Sequence, residues 1–308
     1  MKRASVIIPL YNSAQYIRQV LDFLTAYHHA YETEIIVVDD GSTDGSVSTV
    51  RQYGDAIRLV ELGANRGRSF ARNRGIEAAA GRVCIFLDAD CVPQDEVFFQ
   101  RHLAFHDDQV GALNGQVVIP EHVVNTPYLA LRRQERSARG LHAQPPNAFA
   151  TGNVSVPREL LQQAGGFDEQ MKLFEDVDMG FRLAELGVPI YRDDRIIVEH
   201  LDVRLTLPRD MKRNYLAYRE SVPKIVARNP EHARHLQPLA VITRGSRSPW
   251  TRLIWRHLFK LEYRLFQRFA GVLHWRLARM LVRHCFYASA YNGYYQQNDR
   301  FFDGLEMD

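Results

Sequence analysis

Two rhythms divide the chain. Short apolar runs recur at Ser5–Leu10, Glu34–Val38 and Val83–Leu87, continuous rather than alternating. Such runs predict strands of a parallel sheet buried on both faces. Between the first two the apolar spacing stretches to that of a helix. Tyr16, Val20, Phe23 and Leu24 share one face after a turn at Tyr11-Asn12-Ser13, with Asn12 or Ser13 as its cap. Strand, helix, strand within about forty residues is a βαβ unit. A short strand is expected at Arg58–Glu61, and a helix from about Phe70 to Ala80 that Gly81 ends.

Further along, the pattern predicts a helix over Asp95–His106, a strand over Ala112–Ile119 and a helix across Tyr128–Arg139. A strand over Phe149–Val156 carries a Gly-Asn break, and Arg158–Ala164 forms a short helix. Another helix opens at Leu173–Asp178, with Phe181, Leu183 and Leu186 on its apolar side. Ile190-Tyr191 and Ile196–His200 read as two short strands.

Acids collect where these strands end. Val83–Leu87 runs into Asp88-Ala89-Asp90, and Glu34–Val38 into Asp39-Asp40. On extended chain the i, i+2 spacing puts Asp88 and Asp90 on one side. Ligands of α/β sheets bind beyond the carboxyl ends of the strands. Paired carboxylates there suit Mg²⁺ or Mn²⁺ bridging phosphates, or simply an Asp-rich turn. Asp40, Ser42, Asp44 and Gly45 imitate half of a calcium loop, but its twelfth position is Arg51, which rejects that reading. The turn after the first strand, Pro9-Leu10-Tyr11-Asn12, lacks the glycines of a dinucleotide fingerprint, and there is no phosphate-binding Gly-Lys loop.

Of 308 residues, 46% are hydrophobic, enough for one large domain or a domain with an appendage. Cys84, Cys91 and Cys285 sit at no metal spacing and cannot all pair, which favours free thiols in a reducing compartment. No apolar run approaches the roughly 18–20 residues of a membrane span. A cytoplasmic protein is therefore expected, soluble or peripheral on the inner face of the cell membrane. Charge changes the picture at the C-terminus. Residues 209–308 carry 18 Lys and Arg against 8 Asp and Glu, whereas residues 1–208 carry 21 against 28.

Eight segments in order strengthen this reading: Ser-Val-Ile-Ile-Pro-Leu-Tyr-Asn (5–12), Glu-Ile-Ile-Val-Val-Asp-Asp-Gly-Ser-Thr-Asp-Gly (34–45), Asn-Arg-Gly (65–67), Ala-Arg-Asn-Arg-Gly (71–75), Phe-Leu-Asp-Ala-Asp (86–90), Gly-Asn (152–153), Gly-Gly-Phe-Asp-Glu (165–169) and Glu-Asp (175–176). In order and spacing, over roughly residues 4–203, they resemble family 2 glycosyltransferases. The resemblance implies an α/β GT-A fold, a Rossmann-like mixed sheet flanked by helices, for a catalytic domain at 1–208, to which the charge and apolar pattern add a basic helical region at 209–308. It implies a metal-dependent inverting transfer from a nucleotide-diphosphate sugar, most often a UDP-sugar, to a saccharide or lipid-linked acceptor. Pro9 and Tyr11 would lie against base and ribose. Asp40, with Asp39, would read the base edge, and Arg72 would lie near the sugar-nucleotide pocket. Asp88 and Asp90 match the Asp-X-Asp motif, Asp90 being the direct ligand of Mn²⁺ or Mg²⁺. His200 matches a strand-end histidine that binds metal or diphosphate, against the alternative of a polar strand-end residue. Asp176 matches the catalytic base. A sugar-nucleotide-binding protein without catalysis and a nucleotidyltransferase on a similar core are the alternatives. Intact Asp88, Asp90 and Asp176 oppose the first, and Pro9–Asn12 opposes the second.

Beyond this resemblance, Arg213–Ala227 is expected to be helical and residues 243–249 a polar linker. Trp250 to about Tyr291 reads as one long helix, or two broken near Gly271. Ile254, Leu258, Leu261, Leu265, Phe269 and Val272 make one apolar face, while Arg252, Arg256, Lys260, Arg264 and Arg268 recur every four residues beside it. This face suits either an anionic membrane surface or packing on the catalytic domain or in a homodimer; no nucleic-acid module accompanies the charge.

Overall fold

The computed structural model describes residues 3–133, 137–202, 204–236, 241, 248–255 and 259–296. The chain divides into one unit of Met1–Pro120 with Glu135–Asp202 and another of Glu121–Gln134 with Val203–Asp308.

The first unit follows the hydrophobic runs. Its elements are β1 (Ala4–Leu10), α1 (Ile17–Tyr27), β2 (Thr33–Asp39), α2 (Ser46–Arg51), β3 (Arg58–Glu61), α3 (Arg68–Ala78), β4 (Val83–Leu87), β5 (Cys91–Pro93), α4 (Val97–Asp108) and β6 (Ala112–Val118). Strands β1, β2, β3 and β4 pair in parallel in the order β3-β2-β1-β4, so their carboxyl ends share one edge. The sheet continues through β8 (Asn153–Pro157), β6 and β9 (Ile190–His200) to β5, and β7 (His142–Gln144) pairs with β9. Antiparallel β4–β8 and β8–β6 beside parallel β6–β9 make the sheet mixed, as expected. Both faces are covered. Val6, Ile8 and Leu10 pack with Leu21 and Leu24 of α1 and Phe98 and Leu103 of α4. Ile7, Val38 and Phe86 pack with Ala71 and Ile76 of α3, Leu161 of α6 (Arg158–Gln163), and Met179 and Leu183 of α7 (Glu175–Glu185).

Four expectations change. Helix α1 begins at Ile17, and neither Asn12 nor Ser13 caps it with a side chain. Asn12 takes left-handed backbone (φ 48°) and turns to the loop after β2: its N–H donates to Ser42 Oγ (3.0 Å) and its Oδ1 accepts from Thr43 N–H (2.8 Å). The helix expected over Tyr128–Arg139 is α5, Pro127–Arg132, started by Pro127 and the Thr126 cap; residues 134–136 lie outside the described residues. Ile190–His200 is one strand rather than two. Its polar centre is neutralised in place, since Asp193 pairs with Arg195 (2.7 Å) and Asp194 with Arg192 (2.5 Å). The Gly-Asn break is a pin inside β8. Asn153 Oδ1 meets His102 Nε2 (3.0 Å), and its amide N–H₂ donates to the carbonyl of Ile196 (3.1 Å). Burial lowers the pKa of His102 to about 4 and of His106 to about 3, so both histidines are neutral spacers around Ser155.

The second unit is helical: α5, α8 (Leu207–Leu216), a π-turn at Ala217–Ser221, α9 (Val222–Arg228), α10 (Pro249–Leu253), α11 (Phe259–Phe269) and α12 (Trp275–Tyr291). The helix expected from Arg213 starts at Leu207, where Thr206 caps it and Pro208 occupies the first turn. The break near Gly271 falls between α11 and α12. The expected linker lies largely outside the described residues, as do Leu258 and Arg256. Among the described residues, no helix is long and apolar enough to cross a membrane.

Candidate functional site

The shared edge of β1, β2 and β4 brings the acids together. Asp39 and Asp40 are buried at the end of β2. Each carboxylate is occupied by backbone. Asp39 accepts from the N–H groups of Gly41 (3.2 Å) and Ser42 (3.1 Å). Asp40 accepts from Arg66 N–H (2.7 Å) and Gly67 N–H (2.9 Å), which anchors the Asn-Arg-Gly loop to the sheet. Gly41 (φ +76°) is obligatory between them: a Cβ there would meet the backbone of Ala64 at 2.6 Å. Pro9 is half-buried within β1, and Tyr11 beyond it is 47% exposed.

Arg72 of α3 is the hinge pin of the site, only 2% exposed. Its Nη1 donates to Glu175 Oε1 at 2.8 Å and its Nη2 to Asp88 Oδ1 at 3.3 Å. Phe167 lies under the guanidinium, 5.6 Å away, and meets Phe86 edge-on at 5.3 Å. Asn73, next on α3, accepts from Phe167 N–H (2.7 Å) and donates to the Phe167 carbonyl (2.9 Å). The Gly-Gly-Phe-Asp-Glu segment is therefore a platform for Arg72. Gly166, at φ +73°, fits there because a Cβ would meet Asn73 Oδ1 at 2.8 Å.

Three acids in the first turn of α7 look alike in sequence, and a helix dipole would accept any of them. Their surroundings separate them. Glu175 is buried and takes Arg72, with Arg68 Nε 3.5 Å away. Asp178 is buried and takes Arg182 Nε at 2.8 Å. Asp176 is half-buried, accepts the Val177 N–H at 2.8 Å, and among the described residues has no cation within ion-pair distance. Burial raises its pKa to about 6, and the Glu175 charge adds to the rise against the pull of Arg72 and Arg68. Phe174, just before, holds left-handed backbone at φ 59°, a strained position for a bulky residue.

Across Arg72 lies the other acid group. Cys91 of β5 pairs in register with His200 of β9, so the strand-end histidine arrives beside Asp90. His200 Nε2 is 3.6 Å from Asp90 Oδ2, and its buried Nδ1 has no hydrogen-bond partner among the described residues. Burial raises the Asp90 pKa, with Asp88 and Asp202 adding to it and His200 opposing. Asp90, His200 and Cys91 offer ligand atoms within 4.8 Å of one another. Burial pushes the Cys91 thiol well above its usual pKa, and a soft sulfur ligand is a poor match for the hard cations that accompany phosphates. A carboxylate and an imidazole remain, a donor pair of the kind that takes a divalent metal ion. Asp88 stands apart from this cluster: it is turned to Arg72, with Gly152 against its carboxylate (a Cβ there would meet Oδ2 at 3.3 Å).

Arg72 thus ties Asp88 to Glu175, the chain neighbour of Asp176, and the β5–β9 pair sets His200 beside Asp90. Pro9, Tyr11, Asp39 and Asp40 line the ends of the neighbouring strands. Sequence reasoning missed Glu175 as the partner of Arg72. The pairing of Glu175 with Arg72 spans about a hundred residues and has no local signal.

Residues 5–163 match the family model "Glycosyl transferase family 2". Among curated relatives, the uncharacterized glycosyltransferase YibD of Escherichia coli is 44% identical over 98 residues, 31% of this chain and 27% of the relative. The uncharacterized glycosyltransferase YfnE of Bacillus subtilis is 26% identical over 241 residues, 60% of this chain and 61% of the relative. The chain therefore spans between about a quarter and three fifths of these relatives. Among solved structures, the mannosyltransferase PcManGT from Pyrobaculum calidifontis, in complex with GDP-Man and Mn²⁺, superposes with a TM-score of 0.59 at 22% identity, over 96% of this chain and 88% of that one. TarS residues 1–349 from S. aureus, in complex with UDP-GlcNAc, gives 0.54 at 18% identity, over 96% and 92%. These likenesses establish the shared GT-A fold, and the family model, matched across more than half of the chain, establishes the lineage: the chain belongs to glycosyl transferase family 2.

Proposed function

We propose that this chain is a metal-dependent, inverting glycosyltransferase that moves a sugar from a nucleotide diphosphate, most often UDP, to an acceptor hydroxyl of a saccharide or a lipid-linked saccharide. The observation that carries the reading is Arg72, whose two Nη atoms reach the strand-end acids through Asp88 and the helix-start acids through Glu175. That arrangement leaves Asp90 and Asp176, each unsatisfied by arginine, at the two ends of one constellation. Donor complexes of the similar PcManGT and TarS structures support a nucleotide-sugar donor. A divalent cation held by Asp90 and His200 would supply positive charge for the departing diphosphate. Pro9 and the exposed Tyr11 would bracket base and ribose, and Asp40, with Asp39, would read the base edge with carboxylates that also hold backbone N–H groups of their loops. Asp176 takes the proton of the acceptor hydroxyl as it attacks, and direct attack with one base inverts the anomeric centre.

A panel of UDP-, GDP- and dTDP-sugars assayed with Mn²⁺ tests the class of reaction. Chelation by EDTA, or Asp90→Asn, is expected to lower donor turnover by at least about 100-fold. Mn²⁺ should restore the chelated enzyme and not the variant. Undiminished turnover in EDTA would remove the metal from the reading.

The pH profile follows from Asp176. Its carboxyl must be ionised to accept a proton, and its pKa is raised to about 6. Turnover is therefore expected to rise with pH through about 6 and level above it. A profile flat down to about pH 5, below the raised pKa, would contradict Asp176 as base.

A further inference from the structure

Helix α11 carries two apolar stripes rather than one. Phe259, Tyr263 and Phe266 are buried and turn toward the interior of the helical unit. The other stripe, Leu261, Leu265 and Phe269, is exposed on the far side of the helix, 56% exposed at Leu261. It continues into the turn at Val272, 83% exposed, and Trp275, 52% exposed, at the start of α12. Leu277 and Met280 follow, also exposed. This is the face on which the apolar rhythm of the sequence fell. Aromatic residues pack the helix to its own unit and leave that face unpartnered among the described residues.

Cations frame the stripe. Arg264 and Arg268 lie three residues on from Leu261 and Leu265 and flank them. Arg276 and Arg279 hold their guanidinium groups 5.3 and 5.1 Å from the Trp275 ring, and Arg283 is exposed one turn on. Residues 248–296 contain eight Lys and Arg and one acid, Glu262, which is taken up by His284 at 3.0 Å. An exposed apolar ridge tipped by valine and tryptophan, with arginines along its sides and no free carboxylate among the described residues of 248–296, matches an anionic bilayer. Apolar side chains enter the acyl boundary and guanidinium groups stay at the phosphates. A second copy of the same face would set arginine against arginine.

We propose that the α11–α12 hairpin docks the protein onto anionic phospholipid membranes, with Leu265, Phe269, Val272 and Trp275 inserted and Arg264, Arg268, Arg276 and Arg279 at the headgroups. This surface stands on its own residues and is independent of the transfer reading above.

Flotation of the full chain with vesicles tests it. Vesicles of phosphatidylcholine containing about 30 mol% phosphatidylglycerol should capture at least about tenfold more protein than phosphatidylcholine alone. Leu265→Ser with Phe269→Ser should abolish capture, and so should Arg268→Gln with Arg276→Gln and Arg279→Gln, each with an unchanged thermal melt and donor hydrolysis in solution. Trp275 fluorescence should shift to the blue on binding. Absence of capture, equal capture by both vesicle types, or capture that survives both variants overturns the proposal. So does a solution dimer that the serine variant dissociates, because the stripe would then belong to a second copy.

Discussion

Asp176→Asn is expected to cut sugar transfer by about 100- to 10,000-fold, the range spanned by general bases, while nucleotide binding changes by less than about twofold. The substitution keeps an oxygen for the Val177 N–H and removes only the proton acceptor. It should not unfold the protein. A carboxyl raised to about 6 from 3.8 binds its proton more tightly in the folded chain than in the unfolded one. Stability is therefore given up as pH rises through that window, and ionised Asp176 is a cost above it. The Asn variant should melt at or above the wild-type temperature at pH 8. Single-turnover transfer, nucleotide titration and a melt at that pH distinguish the cases. Transfer within about tenfold of wild type would move the base elsewhere. A lowered melt would mean that the carboxylate has a structural partner after all.

Arg72→Met should have the largest effect on stability. Its guanidinium and the Glu175 carboxylate are almost wholly enclosed, with side-chain exposures of 2% and 3%. Removing one partner of such a pair strands the other charge, a loss of about 3–5 kcal/mol. For a unit of this size that lowers the melting temperature by about 10 °C. Lys should not rescue it, since a single ammonium cannot replace a fork that donates to Glu175 and Asp88 from separate nitrogens. Arg72→Met combined with Glu175→Gln should recover part of the loss, because the buried charge leaves with its partner. A melt lowered by less than about 2 °C in the single variant would show that water reaches the pair and screens it.

How much of this was legible depends on whether the cause was local. Continuous apolar runs at Val6, Ile36 and Ile85 marked strands that both faces of the sheet enclose, and the acids after them marked its functional edge. Strand β5 was not legible: three residues, Cys91-Val92-Pro93, carry no periodicity, and only pairing with β9 makes them a strand. The same pairing brings His200 to Asp90. The Glu-Asp segment singled out Asp176 by resemblance, but the sequence offered no physical reason for the choice, since what separates Glu175, Asp176 and Asp178 is which arginine arrives from α3 or from a later turn of α7. Position along the helix made them equivalent; partners did not. In the helical unit the periodicity found an apolar face and left open whether a membrane, the catalytic domain or a second copy covers it. The residues that hold α11 in place are Phe259, Tyr263 and Phe266, and aromatic side chains among basic ones give a weaker rhythm than leucines.

Helix α3 has a further consequence. Arg68, Arg72 and Asn73 on its first turns reach Glu175, Asp88 and the Phe167 segment, and Asp40 anchors the loop that leads into it. One helix behind the sheet thus braces Glu175, Asp88 and the Phe167 segment together, while β5 and β9 place Asp90 and His200. A substitution that tilts α3 would therefore shift all three contacts at once, whereas Asp90 and His200, held by the β5–β9 pair, would keep their spacing.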